Sequence, residues 1–222
     1  MYKRQADVSS YENPDFIIDL NQPVDPVHYN QFDVILDAGT LEHVFDVATA
    51  FDNINRMLRV GGNVVIFVPA SNSIDHGFYS FSPTLFFDYF GDNGYSQATC
   101  YLLESSPFLY ETKGRVFRYT YVGRERPLVS SKAVSVLFVA TKQRSASSDG
   151  PIKPIQRVYR GDPYAEVGSE QSGKTASPLI LKRAKRLVFR FVSFAGPFLP
   201  YFIQRLTFGK FANKGLQYVG TY

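Results

Sequence analysis

A chain of 222 residues, 45% hydrophobic and 20% charged, has apolar material for one sizeable domain with an appendage or for two small ones, which excludes general disorder. The 16% aromatic content comes wholly from Phe and Tyr, and a single cysteine, Cys100, excludes an internal disulfide framework and fits a reducing compartment. The net charge of +4 is unevenly spread, because residues 179–222 hold eight Lys/Arg and no acid and leave the remainder at −4. No apolar leader follows "MYKRQADVSS", and no apolar run reaches the ~18 residues of a spanning helix, so the expected location is cytoplasmic.

In chain order, "PDFIIDLN" (14–21) and "QFDVILDAGT" (31–40) read as short buried strands that end in Asp. From Asp46 the pattern turns helical. Val47, Ala50, Phe51, Ile54, Met57 and Leu58 form one apolar face, Asn53, Asn55, Arg56 and Arg59 fall largely off it, and Gly61-Gly62 ends the helix. "NVVIFVP" (63–69) is a third buried strand, stopped by Pro69. "SPTLFFDYFGDNGY" (82–95) predicts a second helix with Ser82 as N-cap, Pro83 at its first position and Gly91 or Gly94 as its close. "SQATCYLLE" (96–104) and "AVSVLFVATKQ" (133–143) are further strands, with Cys100 a small packed side chain in the first. Strand, helix, strand, helix, strand predicts an α/β domain with a parallel sheet over residues 1–143.

Residues 144–178 are rich in Ser, Gly, Pro and charge and read as a flexible linker. The basic tail, 179–222, follows. Within 179–195, Lys182, Arg183, Lys185, Arg186 and Arg190 share one helical face, opposite Ile180, Leu181, Ala184, Leu187, Val188, Phe191, Val192 and Phe194. Two readings stand open for this amphipathic helix: it contacts a membrane surface peripherally, or its apolar face packs on its own domain and the cations are solvated. No RNP-like or glycine-rich signature accompanies it, so no nucleic acid is expected.

Ligands of open α/β sheets bind beyond the carboxyl ends of the strands. Three strands here end in polar residues: Asp19 with Asn21, Asp37 with Gly39, and Pro69 with Ser71 and Asn72. Each Asp alone reads more readily as a turn or cap residue than as a ligand. Their agreement on one edge is the signal.

The stretch "FDVILDAGTLEHVFDVATAFDNINRMLRVGGNVVIFVP", with Arg56, Leu58, Gly61 and Gly62 at its helix-to-strand junction, resembles the class I S-adenosylmethionine-dependent methyltransferases. "HGFYSFSPTLFFDYFGDNGY" (76–95) is similar to the next block of a subgroup linked to small-molecule or surface-sugar pathways, and the resemblance covers about residues 6–143. It implies a Rossmann-like, mostly parallel sheet and S-adenosylmethionine as cofactor. Asp19 and Leu20 would stand beside the adenine, with the carboxylate accepting from its amino group. Asp37, Ala38 and Gly39 would line the cofactor wall, and Asp7 would grip the ribose hydroxyls, although nothing strand-like precedes it. Such enzymes open with a strand and a G-x-G-x-G loop, whereas this chain contains no G-x-G. The expectation is therefore an N-terminally incomplete methyltransferase that lacks its first strand–helix unit. The loss would leave two apolar sheet edges unpaired, one of them beside the 32–39 strand.

On the acceptor side, His43 has a suitable pKa for removing a proton, while Glu42 reads as a cap of the next helix. Some quinone-pathway relatives bind a metal through a Glu followed three and four positions later by Glu-His; Gly39 stands where the first carboxylate would be, so no metal is expected. His76, Tyr79 and Ser82 are the remaining acceptor-side candidates, each also readable as loop-structuring. The expected function is methyl transfer to a small-molecule or sugar-type acceptor, inactive without the upstream part. The alternative is a non-catalytic methyltransferase-like remnant that serves as a membrane-surface or protein-binding module.

Overall fold

The computed structural model describes residues 3–105, 114–121, 128–147, 150–160 and 216–221. Two short strands, β1 (Ala6–Asp7) and β2 (Phe16–Ile17), form a parallel ribbon of their own. The main sheet contains β3 (Phe32–Ala38), β4 (Leu58–Ser71), β5 (Tyr95–Ser105), β6 (Arg115–Tyr119), β7 (Ala133–Lys142) and β8 (Leu216–Thr221), in the order β3-β4-β7-β5-β6-β8. Helix α1 (Val47–Met57) carries the chain from β3 to its parallel neighbour β4, and α2 (Pro83–Asp92) connects β4 to β5. This is the α/β class expected. Parallel pairing holds at β1–β2 and, in the main sheet, at β3–β4, while the β4–β7, β7–β5, β5–β6 and β6–β8 pairings are antiparallel.

Every second residue of β7 is buried, and these side chains meet the helices. The rings of Phe86 and Phe90 stack on Phe138 at 5.5 and 5.4 Å, and Phe51 of α1 stacks on Tyr89 at 4.9 Å. Each fully buried Phe stabilises by about 2–3 kcal/mol, so this aromatic layer is a large part of what holds α1 and α2 to the sheet. Cys100 is packed in the same core, and burial pushes its thiol up to about 12.

Several boundaries differ from expectation, for physical reasons. The first helix ends at Met57 instead of Gly61-Gly62, and β4 begins at Leu58. Its last carbonyls find partners without a glycine cap: Asn30 N–H donates to Arg56 O, Gln31 N–H to Met57 O, and the Lys142 ammonium to Asn55 O and Leu58 O. Asn53 and Asn55 are buried, not on the solvent side. Asn53 Oδ1 accepts from Val24 N–H at 2.8 Å, its amide donates to Leu20 O and Gln22 O, and Asn55 accepts from the Tyr95 hydroxyl. The second helix starts as predicted, with Ser82 accepting from Thr84 N–H, and Gly94, at φ +79°, follows its Asn93 cap.

The 32–38 strand is not the buried strand expected. Among the described residues it pairs only with β4, and Leu36 is left 66% exposed. Three strands were not anticipated: β1 at Asp7, β6 between the last two predicted strands along the chain, and β8 inside the basic tail. The start of the composition-defined linker is docked on α2: Ile152 N–H donates to Asn93 Oδ1, Arg157 N–H to Asp88, and Arg160 pairs with Asp92. The amphipathic stretch 179–195 lies outside the described residues. No helix among those described is long and apolar enough to cross a membrane.

Candidate functional site

Strand β3 stops at Ala38 because Gly39 adopts φ +96°, a left-handed conformation that costs a residue with a Cβ far more. Asp37 closes the turn by accepting from Thr40 N–H at 2.8 Å. A 3-10 turn over Leu41–His43 follows, pinned by the buried Leu41. That anchor turns Glu42 inward, to 1% exposure, and leaves His43 on the solvent side. Glu42 does not cap the next helix. Asp46 does, accepting from Thr49 N–H and Oγ1, because the residues between form their own turn.

The loop after β4 folds back onto Glu42. Phe78 N–H donates to Glu42 O at 2.7 Å and Tyr79 N–H to the same oxygen at 3.2 Å. A Cβ on Gly77 would stand 2.8 Å from that oxygen, so only glycine permits the approach. This seating carries His76 Nε2 to 3.4 Å from Glu42 Oε1 and sets the His43 and His76 rings 5.4 Å apart. The donor atoms of Glu42, His43 and His76 all lie within 4.8 Å of one another.

Two buried carboxylate oxygens here have no hydrogen-bond partner, Asp37 Oδ2 and Glu42 Oε2. Burial pushes the Asp37 carboxyl up to about 6, with the Thr40 N–H opposing the rise and the Glu42 charge adding to it. Beside the polar group stand Phe45 and Phe78, 73% and 67% exposed, their rings edge to face at 6.0 Å. An uncovered aromatic pair next to a polar pocket suits a ligand with an apolar face.

The structure therefore brings together Asp37, Gly39, Glu42, His43 and His76. Ala38 is exposed on the same strand end. Asp19 is exposed beyond β2, where the Asn21 backbone and side-chain amides hydrogen-bond its carboxylate and lower its pKa. Leu20 packs against the core, and its carbonyl is held by Asn53. Asn21 in turn accepts from Asp46 N–H, which ties this loop to the start of α1. Asp7, for which no preceding strand was expected, ends β1 and accepts from Ser9 N–H and Oγ. Tyr79 and Ser82 have local tasks, since the Tyr79 hydroxyl donates to Phe45 O at 2.8 Å and Ser82 caps α2. Tyr79→Phe should therefore cost about 1 kcal/mol in a thermal melt, the net worth of one neutral hydrogen bond. Gly77 and the Glu42–His76 pairing escaped sequence reasoning; a glycine directly after a loop histidine was the only available hint.

A parallel β3–α1–β4 unit with acids and a glycine at the strand ends is the setting in which open α/β sheets carry their ligands. Residues 6–66, under a third of the chain, match a family model described as a methyltransferase domain. No significant match is found among curated proteins. Among solved structures, a Bacillus halodurans C-125 protein assigned provisionally as a methyltransferase is similar at 14% identity and TM-score 0.35, over 58% of this chain and 71% of its own. A Pyrococcus horikoshii OT3 protein is similar at 14% identity and TM-score 0.28, over 61% of this chain and 66% of its own. Likeness at this level carries no functional inference.

Proposed function

We propose that the chain serves methyl transfer from S-adenosylmethionine to a small-molecule or sugar-type acceptor. The observation that carries this reading is the polar cluster at the end of β3, whose members Asp37, Gly39, Glu42 and His43 lie within the matched methyltransferase segment. Two features suit the cofactor: the exposed Ala38–Gly39 turn, where backbone can approach a ligand closely, and the orphaned, buried Asp37 Oδ2. When bound, the cofactor supplies an electrophilic methyl group on a sulfonium centre. Asp19 and Leu20 would hold the adenine, Asp7 the ribose hydroxyls, and Asp37, Ala38 and Gly39 the wall between cofactor and acceptor. The displacement is in line, so the protein contributes chiefly proximity and orientation. His43, solvent-facing at the rim, would take a proton from an acceptor that must lose one. Phe45 and Phe78 would supply an apolar wall for that acceptor.

Calorimetry of S-adenosylhomocysteine binding to the full chain tests the reading. Saturable binding should weaken roughly tenfold or more in Asp19→Ala, because no carboxylate then accepts from the adenine amino group. The variant also loses the two Asn21 contacts, so melts of parent and variant separate weaker binding from weaker folding. No binding at millimolar ligand would overturn the proposal. The absence of any G-x-G would then favour the non-catalytic binding module.

A further inference from the structure

We propose that Glu42, His43 and His76 form a binding site for one divalent transition-metal ion, with Zn²⁺ the best-matched species. The sequence pattern argued against a metal, because Gly39 occupies the position where a carboxylate would pair with Glu42 and His43. Tertiary structure supplies a different third ligand. The loop after β4 delivers His76 to the same point, and the set becomes two imidazoles and one carboxylate.

Three observations carry the site. First, the three donor groups already lie within 4.8 Å of one another. Ligands about 2.1 Å from a tetrahedral ion sit roughly 3.4 Å apart, so closure needs movements on the order of 1 Å. Rotation of the exposed His43 and His76 side chains can provide these, and the His76–Glu42 separation is already 3.4 Å. Second, Glu42 is 1% exposed and its Oε2 has no partner. An ionised carboxylate in that setting is costly unless a cation or a proton compensates it. Third, the Glu42 main chain is fixed, by Phe78 and Tyr79 N–H on its carbonyl oxygen and by the close approach that Gly77 allows. A buried carboxylate on a fixed backbone, with two adjustable imidazoles, is a partly organised site, not an incidental surface cluster.

The donor set selects the ion. Two nitrogens and one oxygen suit Zn²⁺ and its transition-metal neighbours, whereas Mg²⁺ and Ca²⁺ prefer all-oxygen shells. Three protein ligands leave a coordination position for water or an acceptor oxygen, the arrangement of catalytic rather than structural zinc sites. An ion there would lower the pKa of a bound hydroxyl and so replace His43, then a ligand, as the means of deprotonating the acceptor, which deepens the methyl-transfer reading on its acceptor side. Binding of the ion itself does not depend on that reading.

The test is a Zn²⁺ titration of the tag-free full chain against a chromophoric chelator, with metal content measured after dialysis. One equivalent should bind, and His76→Ala should weaken it by at least about a hundredfold, as should Glu42→Gln. His28→Ala is the control, because His28 lies against Phe16 beside the β1–β2 ribbon and should leave affinity unchanged. Zinc should also raise the melting temperature of the parent and of His28→Ala, but not of His76→Ala. Since His76 is exposed, its variant should fold even if Glu42→Gln does not. Equal zinc affinity in the parent and His76→Ala, or no binding to the parent at micromolar zinc, would overturn the site. The titration contains no methyl donor, so its failure leaves methyl transfer standing, and failure of S-adenosylhomocysteine to bind leaves the zinc site standing.

Discussion

Lys142→Met should destabilise the protein by about 3–5 kcal/mol, the cost of leaving two buried carbonyls without a charged donor. Lys142 ends β7 with 0% exposure, and its Nζ donates to Asn55 O at 2.5 Å and Leu58 O at 2.6 Å. These carbonyls belong to the last turn of α1 and the first residue of β4, where orphan acceptors need partners. A cation there also suits the negative end of the helix dipole. Methionine matches the stem in volume and supplies no donor, so the carbonyls stay dry and unpaired. For a chain of this size, roughly 2–4 °C of melting temperature is lost per kcal/mol, which predicts a fall of at least about 6 °C. A melt within 2 °C of the parent would show that water replaces the ammonium without penalty. The same change should loosen the α1–β4 junction, and hence the base of the site that β3 and β4 carry.

Asp37→Asn should stabilise the protein at pH 7 and remove a pH dependence. The folded carboxyl titrates at about 6, against an ordinary value of 3.8, chiefly because it is buried. Between these values the native state holds more protons than the unfolded chain, so stability falls as pH rises through the window and stays reduced above it. A rise of this size corresponds to a penalty on the order of 3 kcal/mol above about pH 6. Asparagine retains an oxygen for Thr40 N–H and carries no charge to desolvate. Its amide hydrogens replace one orphan atom by another, which offsets part of the gain and leaves about 1–2 kcal/mol. Denaturant melts of the parent at pH 4.5 and 7 should therefore differ, with the lower pH favoured by this group, and the slope should flatten in the variant. Equal slopes would remove Asp37 as its source. Under the methyl-transfer reading the gain in stability is matched by weaker cofactor binding, as expected where a functional site stores an unfavourable charge.

Much of the scaffold could be read directly. The apolar rhythm of α1, the Ser82-Pro83 start of α2 and the alternation in β5 and β7 are local signals, and the structure repeats them within a few residues. Where the reading slipped, the deciding partner lay far along the chain. Gly61-Gly62 looked like a helix stop, yet residues 30, 31 and 142 terminate the helix earlier. Asn53 and Asn55 looked like surface residues, yet both are satisfied in the core by groups from other elements. The run Val34–Leu36 promised a buried strand, and pairing on one side alone among the described residues left Leu36 exposed.

The site divides in the same way. Residue types and their order along "FDVILDAGTLEHVFD" were enough to mark the end of a ligand-bearing strand, because strand length, glycine and turn chemistry are local properties. Sequence alone thus determined the α/β class, the strand end where acids and a glycine gather, and the likeness of residues 6–66 to a methyltransferase-domain model. Only the tertiary structure decided that Glu42 turns inward and that His76, from a separate loop, meets it. Burial and proximity between distant segments are set by packing, and no spacing within either segment encodes them.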